Sequence, residues 1–476
     1  MSDLELAAAA AAAAAAVDLS LPSKAYQRLD EFSHSYDRGS GTNQGHPSYT
    51  VDEAAAQIDR FGYRFKDTNA DGTVTLTYSF TQVKPANFDT HLGEFIAFNA
   101  QQQAQAKLAM RSWADVANIT FTQAASGGEG HLSLASYSVS SGEAAFAYYP
   151  TNGARDGESW YWVSDEYQYN AQAGLNNYGG QTLVHEIGHS LGLGHPGDYN
   201  AWNGILSYRD DAAYAEDSRA YSVMSYWDES NTGQDFEGAY ASAPLMDDIA
   251  AIQRLYGANE NTRVGGTVYG FNSNSNRAET TATSASSELI FSVWDSGGVD
   301  TLDFSGYSMN QRIDLHAASF SDVGGLVGNV SIAQGVTLER AIGGAGNDYL
   351  IGNDVSNTLT GNAGNDLLAG EGGADKLWGG AGADIFVYFA QSDSTAASAD
   401  RLMDFTSGED RIDLSGLAAV DGSPIHFSNT LDGAAGAAVL RDASYGTRLS
   451  VDFNGDHTAD FVIKILGEAH SSDFLV

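Results

Sequence analysis

The chain has 476 residues, 23 basic and 61 acidic, for a formal net charge of −38. That excess argues against nucleic acid and anionic membrane surfaces as partners, while a content of 43% hydrophobic and 11% aromatic residues argues against disorder. There is no cysteine, so a chain working outside the cell needs another staple, and bound metal ions are one. At this length two or three domains are expected. Apart from an alanine-rich segment there is no long uncharged apolar run, so no membrane span is expected.

Residues 1–20 read as a leader-like segment. The alanine run from Ala7 to Ala16 is either low-complexity helix or a stand-in for unassigned residues, and it carries no function. The N-terminus has no basic region and no leucine-rich core, so a Sec-type signal peptide is not expected. Residues 26–38 show helical spacing through Tyr26, Leu29, Phe32 and Tyr36, and 51–61 form a second short helix. The loop from Asp67 to Gly72 begins like a calcium-binding EF-hand, but Tyr78 stands where the distal Glu belongs, so a turn is expected. Residues 73–80 alternate and are rich in β-branched and aromatic side chains, which predicts a strand. Residues 91–116 are expected to be one long helix, and 119–122 and 131–135 to be strands. The segment 144–149 is a strand closed by Pro150, suited to a sheet edge. The helix 244–257 has an acidic first turn and a terminal Gly, and the domain boundary is placed after it. An α+β domain over 21–257, with a twisted sheet on two long helices, is thus expected to precede a second domain over 258–476.

The stretch from His185 to His195 reads H-E-x-x-H-x-x-G-x-x-H. His185 and His189 lie one helical turn apart on one face, spaced for a single tetrahedral Zn²⁺. Glu186 can reach a water at that metal without being a ligand. Gly192 can take the left-handed conformation that ends the helix, which lets the chain return His195 as the third ligand. Three protein ligands leave a position open, the mark of a catalytic zinc.

From Gly343 the chain falls into a nine-residue register: GGAGNDYLI, GNDVSNTLT, GNAGNDLLA, GEGGADKLW and GGAGADIFV. This G-G-x-G-x-D-x-U-x pattern predicts an all-β parallel roll that binds several calcium ions. Six residues make a turn whose carbonyls and carboxylate suit Ca²⁺, and three make a short strand. The candidate calcium residues are Gly343, Gly344, Gly346 and Asp348; Gly361, Gly364 and Asp366; Gly370, Gly372 and Asp375; and Gly379, Gly380, Gly382 and Asp384. Asn357 replaces the aspartate of the second repeat, so ions touching that turn are expected to be weak or missing. Asp400, Asp404 and Asp410 follow and can close the last ion site. The loop from Asp452 to Asp456 is read as a turn.

The H-E-x-x-H-x-x-G-x-x-H pattern is similar to the zinc signature of the metzincin metalloproteases. The stretch Tyr221-Ser222-Val223-Met224-Ser225-Tyr226-Trp227, together with Pro196-Gly197-Asp198-Tyr199-Asn200, resembles the serralysins, secreted bacterial metalloproteases. The resemblance covers the chain from about Tyr26 to Val476. It implies that Met224 packs beneath the metal histidines. It also implies that Tyr226 is a further zinc ligand that swings away when substrate binds and then stabilises the oxyanion. Without it, Met224 is a core methionine and Tyr226 a buried tyrosine bonded to backbone. The resemblance further implies that Arg263, Gly265, Thr267, Asp295, Gly297, Gly298, Asp300, Thr337 and Glu339 hold calcium ions where the roll meets the strands before it. The alternative there is solvated acidic turns. Catalysis is expected from Glu186 as general base, with protein or peptide substrate extended along Ala144, Phe146 and Tyr148. The terminal Asp473-Phe474-Leu475-Val476 resembles the signal read by ATP-driven type I exporters. A zymogen leader, an extracellular monomer and a small periplasmic inhibitor protein complete the expectations. Two rival readings are a calcium-dependent adhesion protein with an inert zinc domain, against which Glu186 stands, and another metzincin subfamily, against which the Met224 turn and the roll stand.

Overall fold

The computed structural model describes residues 25–200 and 204–476; the leader-like segment and its alanine run lie outside the described residues. Five helices organise the first half: α1 (Ala25–Ser33), α2 (Val51–Ile58), α3 (Ala100–Val116), α4 (Tyr178–Leu191) and α5 (Met246–Tyr256). The strands of its main sheet are β1 (Val74–Phe80), β2 (Glu94–Ile96), β3 (Ile119–Gln123), β4 (Gly130–Ser138), β5 (Ala145–Ala147) and β6 (Glu158–Trp162). They form a sheet in the order β3-β1-β4-β6-β5, with β2 antiparallel to the end of β4. Only β2 and β5 run against the others, and β5 is the edge.

Helix α3 is shorter than expected. Asn99 caps it in a reciprocal pair with Gln102, which fixes the start at Ala100. Ahead of the cap, Gly93 takes φ 72° against Ser138, and the next three residues join the sheet instead of the helix. Strand β6 has no counterpart among the expected elements, because its burial is nearly continuous and so lacks the alternation that marks a half-buried strand. Helices α3 and α4 pack together under the sheet, as expected of the two long helices. There the Trp113 indole donates to Val184 O at 3.1 Å across the buried interface, among Met110, Leu183, Val184, Ile187, Leu76 and Leu134.

The second half is a parallel β-roll. Each 18-residue coil gives one strand to each of two facing sheets. One sheet contains Arg340–Ile342, Thr358–Ala363, Lys376–Ala381 and Asp400–Leu402, paired in parallel. The other contains Tyr349–Ile351, Leu367–Ala369, Ile385–Val387 and Arg411–Asp413, also parallel. The eighth residue of every repeat, Leu350, Leu359, Leu368, Leu377 and Phe386, is fully buried between them. The hairpin strands Ala437–Ala443, Gly446–Asp452 and Phe461–Ile465 extend the first sheet. Helix α1 lies on the second, with Ala25, Leu29 and Phe32 against Ile351, Leu367, Ile385 and Val387. By packing, the first helix of the 21–257 segment therefore goes with the roll. Among the described residues no helix is long and apolar enough to cross a membrane.

Candidate metal centres

Helix α4 starts at Asn177, whose side chain accepts from Gly180 N, and ends at Gly192 with φ 112°. A Cβ on Gly192 would lie 1.9 Å from Tyr63 O, so only glycine fits this turn. It turns the chain so that His195 faces His185 and His189. The ligand-capable atoms of the three lie within 4.8 Å of one another, with Nε2–Nε2 separations of 3.0 Å (His189 to His195) and 3.3 Å (His195 to His185).

Each imidazole is oriented through its other nitrogen. Nδ1 of His185 bonds to Val223 O at 2.8 Å, that of His189 to Leu193 O at 2.7 Å, and that of His195 to Tyr199 O at 2.8 Å. A carbonyl only accepts, so each Nδ1 carries the proton and each Nε2 presents a lone pair. Three lone pairs converging at this spacing repel one another unless a cation lies between them, and three neutral imidazoles are a zinc donor set. The site therefore fits the metal the sequence implies. Burial keeps all three neutral: it lowers His185 to about 4 and His195 to about 3, and pushes His189 well below its ordinary value.

Glu186 is buried, and its Oε2 has no hydrogen-bond partner. Burial first, and the neighbouring Glu143 second, raise its pKa well above the ordinary carboxylate range. Tyr226 is 39% exposed, with its ring 4.4 Å from that of His195 and 5.9 Å from that of His185. It stands against the histidine triad and is partly exposed. Burial of its phenol raises the pKa, so the hydroxyl stays protonated. Met224 is fully buried beneath α4. A Cβ on Gly188 would come within 2.7 Å of its Sδ, so this glycine admits the methionine to the underside of the ligand helix.

Two buried aspartates that sequence reasoning missed hold this arrangement. Asp248 accepts from Ser222 Oγ at 2.6 Å, Val223 N at 2.8 Å and Leu245 N at 2.9 Å, which fixes the carbonyl that orients His185. Asp217 accepts from Tyr199 OH at 2.8 Å, Ser225 Oγ at 2.7 Å and Trp227 Nε1 at 3.2 Å. It ties the loop of the third histidine to the turn bearing Met224 and Tyr226. Burial raises Asp217 to about 6 and Asp248 to about 7. Asp217 has no local sequence signal, and Asp248 was legible only as part of the acidic first turn of its helix. Gly188 had one, because glycine inside a helix marks a close approach.

Two cavities flank Glu186. One of about 310 Å³ is lined by Tyr178, Gln181, Thr182, His185, Arg219 and Ala144. The other, of about 470 Å³, is lined by Phe61, Phe146, Ala147, Tyr149, His195 and Asn200. Edge strand β5 borders both. Trp162 N donates to Ala144 O and Tyr148 N to Glu158 O. By alternation, the backbone of Ala144, Phe146 and Tyr148 is bonded to β6, and Ala145 and Ala147 present the free N–H and C=O groups.

In the roll, turn carboxylates stack at 18-residue intervals, widening to 25 between Asp375 and Asp400. Asp366 Oδ1 accepts from Asp348 N at 2.7 Å, and Asp384 Oδ1 from Asp366 N at 2.9 Å. On the other side Asp375 Oδ1 accepts from Asn357 N at 2.7 Å, and Asp400 Oδ1 from Asp375 N at 2.8 Å. The second oxygens of Asp300, Asp366, Asp375, Asp384 and Asp400 are buried without a partner. Buried unpaired carboxylate oxygens are costly unless a cation meets them, and hard oxygens in a turn suit Ca²⁺. Asp348 differs, since Gly344 N reaches its Oδ2. The first glycine of each turn makes room for the carboxylate: a Cβ on Gly343, Gly361, Gly370 or Gly379 would lie 2.1–2.5 Å from the Asp Oδ2 of its own repeat. Gly364, Gly373 and Gly382 take φ of 122°, 122° and 133°. Gly373, which the sequence reading passed over in favour of Gly372, therefore matches Gly364 and Gly382 in the third of these turns.

At the head of the roll, Thr267 N donates to Asp300 Oδ1 and Asp300 N to Glu339 Oε2, while Asp295 accepts from Tyr269 OH and Gly297 N. Gly298 packs on Gly265. The guanidinium of Arg263 is engaged with Trp294 O and Asp115; for Thr337 no side-chain contact stands out. Asp452 accepts from four backbone N–H groups, those of Asn454, Gly455, Asp456 and His457, as a turn requires.

Two family models match the chain: the one described as Peptidase M10 serralysin C terminal over residues 258–476, and the one described as Matrixin over residues 73–208. Metalloprotease AprA of Pseudomonas entomophila (strain L48) is 59% identical over 467 residues, covering 96% of each chain. Metallopeptidase AprA of Pseudomonas marginalis is 57% identical over 471 residues, 96% of this chain and 98% of its own length. Serralysin C of Dickeya chrysanthemi is 50% identical over 473 residues, 96% of this chain and 97% of its own. A zinc-competent histidine triad ahead of a parallel roll, with relatives matched along nearly their whole length, makes the chain a zinc metalloendopeptidase that belongs to the serralysin family.

Proposed function

We propose that this chain is a secreted endopeptidase in which His185, His189 and His195 hold one catalytic zinc, Tyr226 is a further displaceable ligand, and Glu186 is the general base. The observation that carries the reading is the convergence of three Nε2 lone pairs beside a buried, unpartnered Glu186 oxygen, in a cleft bordered by a free strand edge. Zinc held there would supply a Lewis acid that polarises the scissile carbonyl and acidifies water. Glu186 takes a proton from the attacking water and hands it to the leaving amine, and burial makes its carboxylate a stronger base than one in solvent. The protonated Tyr226 hydroxyl donates a hydrogen bond to the developing oxyanion. Strand β5 aligns the substrate by pairing with an extended peptide through its free groups. The test is casein hydrolysis by wild type and Glu186→Ala, with and without a zinc chelator. A loss of about 10²–10⁴-fold is expected from the substitution; equal activity in the two proteins overturns the assignment.

The roll is read as a folding control. From Glu339 to Asp413 there are 13 acidic residues, which would repel one another without calcium and keep the segment unfolded in a low-calcium cytoplasm. Outside, Ca²⁺ at Asp300, Asp348, Asp366, Asp375, Asp384 and Asp400 would let the roll close. The C-terminus supports export as an unfolded thread through a type I exporter. Phe474–Leu475 is a strand paired with Arg411–Asp413, and Asp473 accepts from Ser407 Oγ. Asp473 and Phe474 of that stretch are buried once the roll has formed. Division into a catalytic unit over 21–257 and a calcium unit over 258–476, a monomeric state and a small periplasmic inhibitor belong to the same proposal.

A further inference from the structure

Beyond the metal, the larger cavity leads to an aromatic surface that the chemistry above does not use. Phe61 and Tyr63 are stacked at 5.5 Å and 17°, yet they remain 44% and 36% exposed. Tyr149 joins both, with its ring 6.0 Å from Phe61 and 5.5 Å from Tyr63. It also stands edge-on to the ligand His189 at 5.4 Å. Three aromatic rings thus continue from the metal centre along one wall of the cleft.

The wall is built, not incidental. Gly194 N donates to Ile58 O at 2.8 Å, and a Cβ on Gly194 would lie 2.9 Å from Phe61 Cε2. Gly192 has Tyr63 O against it in the same way. Arg60 donates to His195 O at 2.6 Å and Gly197 O at 3.1 Å while its guanidinium covers Phe61 at 4.5 Å. The two glycines of the loop carrying the third histidine therefore seat the loop carrying the platform. Two large rings left partly in solvent beside a catalytic cleft point to a partner that covers them.

We propose that Phe61, Tyr63 and Tyr149 form a subsite for a large apolar or aromatic substrate side chain, two or three residues from the scissile bond on the His195 side. The inference rests on the reading that the cleft takes an extended peptide. Two ring-to-ring steps of 5.4 and 6.0 Å separate His189 from Phe61, which spans at most about three residues of extended chain at roughly 3.3 Å each. The chemistry of the wall selects an uncharged side chain. Arg60, paired with Asp198 at 3.0 Å, already occupies one face of Phe61, so a second cation gains no stacking there. Aromatic faces gain most from apolar and aromatic partners.

The test uses full-length enzyme and fluorogenic peptides with one scissile bond, carrying Ala, Phe or Lys at the second and third positions on either side. Wild type is expected to prefer Phe over Ala about tenfold at one of these positions, expressed in KM. Phe61→Ala and Tyr63→Ala should each bring that ratio toward one, Phe61→Tyr should keep it, and Tyr445→Ala, an exposed aromatic in the distant hairpin, should leave it untouched. No preference at any position in wild type, an unchanged ratio in both alanine variants, or a preference for Lys overturns the proposal. The reading it rests on fails separately, since an active Glu186→Ala would remove the general base while leaving the ratio measurable.

Discussion

The zinc helix and the calcium roll solve the same problem, holding like groups together until a cation arrives, in opposite ways. At the zinc site every imidazole is oriented by a backbone carbonyl, and two of the three, Val223 O and Tyr199 O, sit on segments fixed by Asp248 and Asp217. The neutral ligands ask only a short-range lone-pair repulsion of the protein, which packing sustains. In the roll the facing groups are carboxylates, and five of their oxygens are buried without partners. Their desolvation is not offset by the protein itself. The first site is preorganised and should outlast its metal; the second needs its ions in order to exist.

Removing calcium is the largest expected effect. In excess chelator selective for calcium over zinc, the roll should lose its structure and take activity with it, while the three-histidine site alone predicts a folded first half. Retained circular dichroism and protease resistance of the roll would break the comparison. The pH dependence sharpens it. Without cations, burial raises Asp348 and Asp384 to about 7, Asp366 and Asp400 to about 8, and Asp375 to about 9, against roughly 3.9 in an unfolded chain. A carboxyl whose pKa is raised on folding binds more protons in the folded state. Its stability is therefore full below about pH 4 and is lost as pH climbs through these values. The calcium-free roll should therefore keep a melting transition near pH 5, where these carboxyls are protonated, that moves down and is lost toward pH 9, and the gain on adding calcium should grow. A calcium-free melting temperature that is flat or rises across that range contradicts the argument.

A smaller effect is expected at Asp217. Asp217→Ala leaves Tyr199 OH, Ser225 Oγ and Trp227 Nε1 without their acceptor and frees the loop that orients His195. Zinc affinity should drop about 10- to 100-fold, as for other residues that hold a ligand in place, with the roll's calcium response unchanged. Competition with a chromogenic chelator measures it. An unaltered affinity would mean that helix α4 and the His195 loop are rigid without this anchor.

How far the sequence reaches follows the same division. His185, His189, Gly192 and the nine-residue repeats are legible because their constraint is local: one helical turn, one left-handed residue, one period. Asp217, Asp248 and the ring stack of Phe61, Tyr63 and Tyr149 act on residues that are near in space and far along the chain, so no spacing betrays them. Strand β6 escaped because burial on both faces erases alternation, and the start of α3 was misplaced because the Asn99–Gln102 cap is a stronger stop than the apolar spacing before it. The free groups of β5 belong to Ala145 and Ala147, and their identity depends on which side of the strand β6 occupies, a fact of pairing alone.

Asn357 offers the finest test, because it is a repeat position where an amide stands in place of the carboxylate and the protein itself satisfies the turn. Its amide donates to Leu338 O and Glu339 O at 3.4 Å and to Asn353 Oδ1 at 3.2 Å, and its Oδ1 accepts from Asn353 N at 2.8 Å. The turn is satisfied by the protein, where Asp366, Asp375 and Asp384 are not. Asn357→Asp replaces these donors with a carboxylate facing carbonyl oxygens, the donor set of the neighbouring turns. At limiting calcium, just enough for the roll to fold, the variant should be less stable by about 1 kcal/mol, the size of one lost hydrogen bond. In excess calcium the loss should be recovered, because the new carboxylate can then meet an ion. Thermal melting in both conditions decides it. An equal loss at limiting and at excess calcium would mean that this turn cannot accept an ion whatever its side chain, and that backbone shape, more than the carboxylate, separates the turns that bind calcium from those that do not.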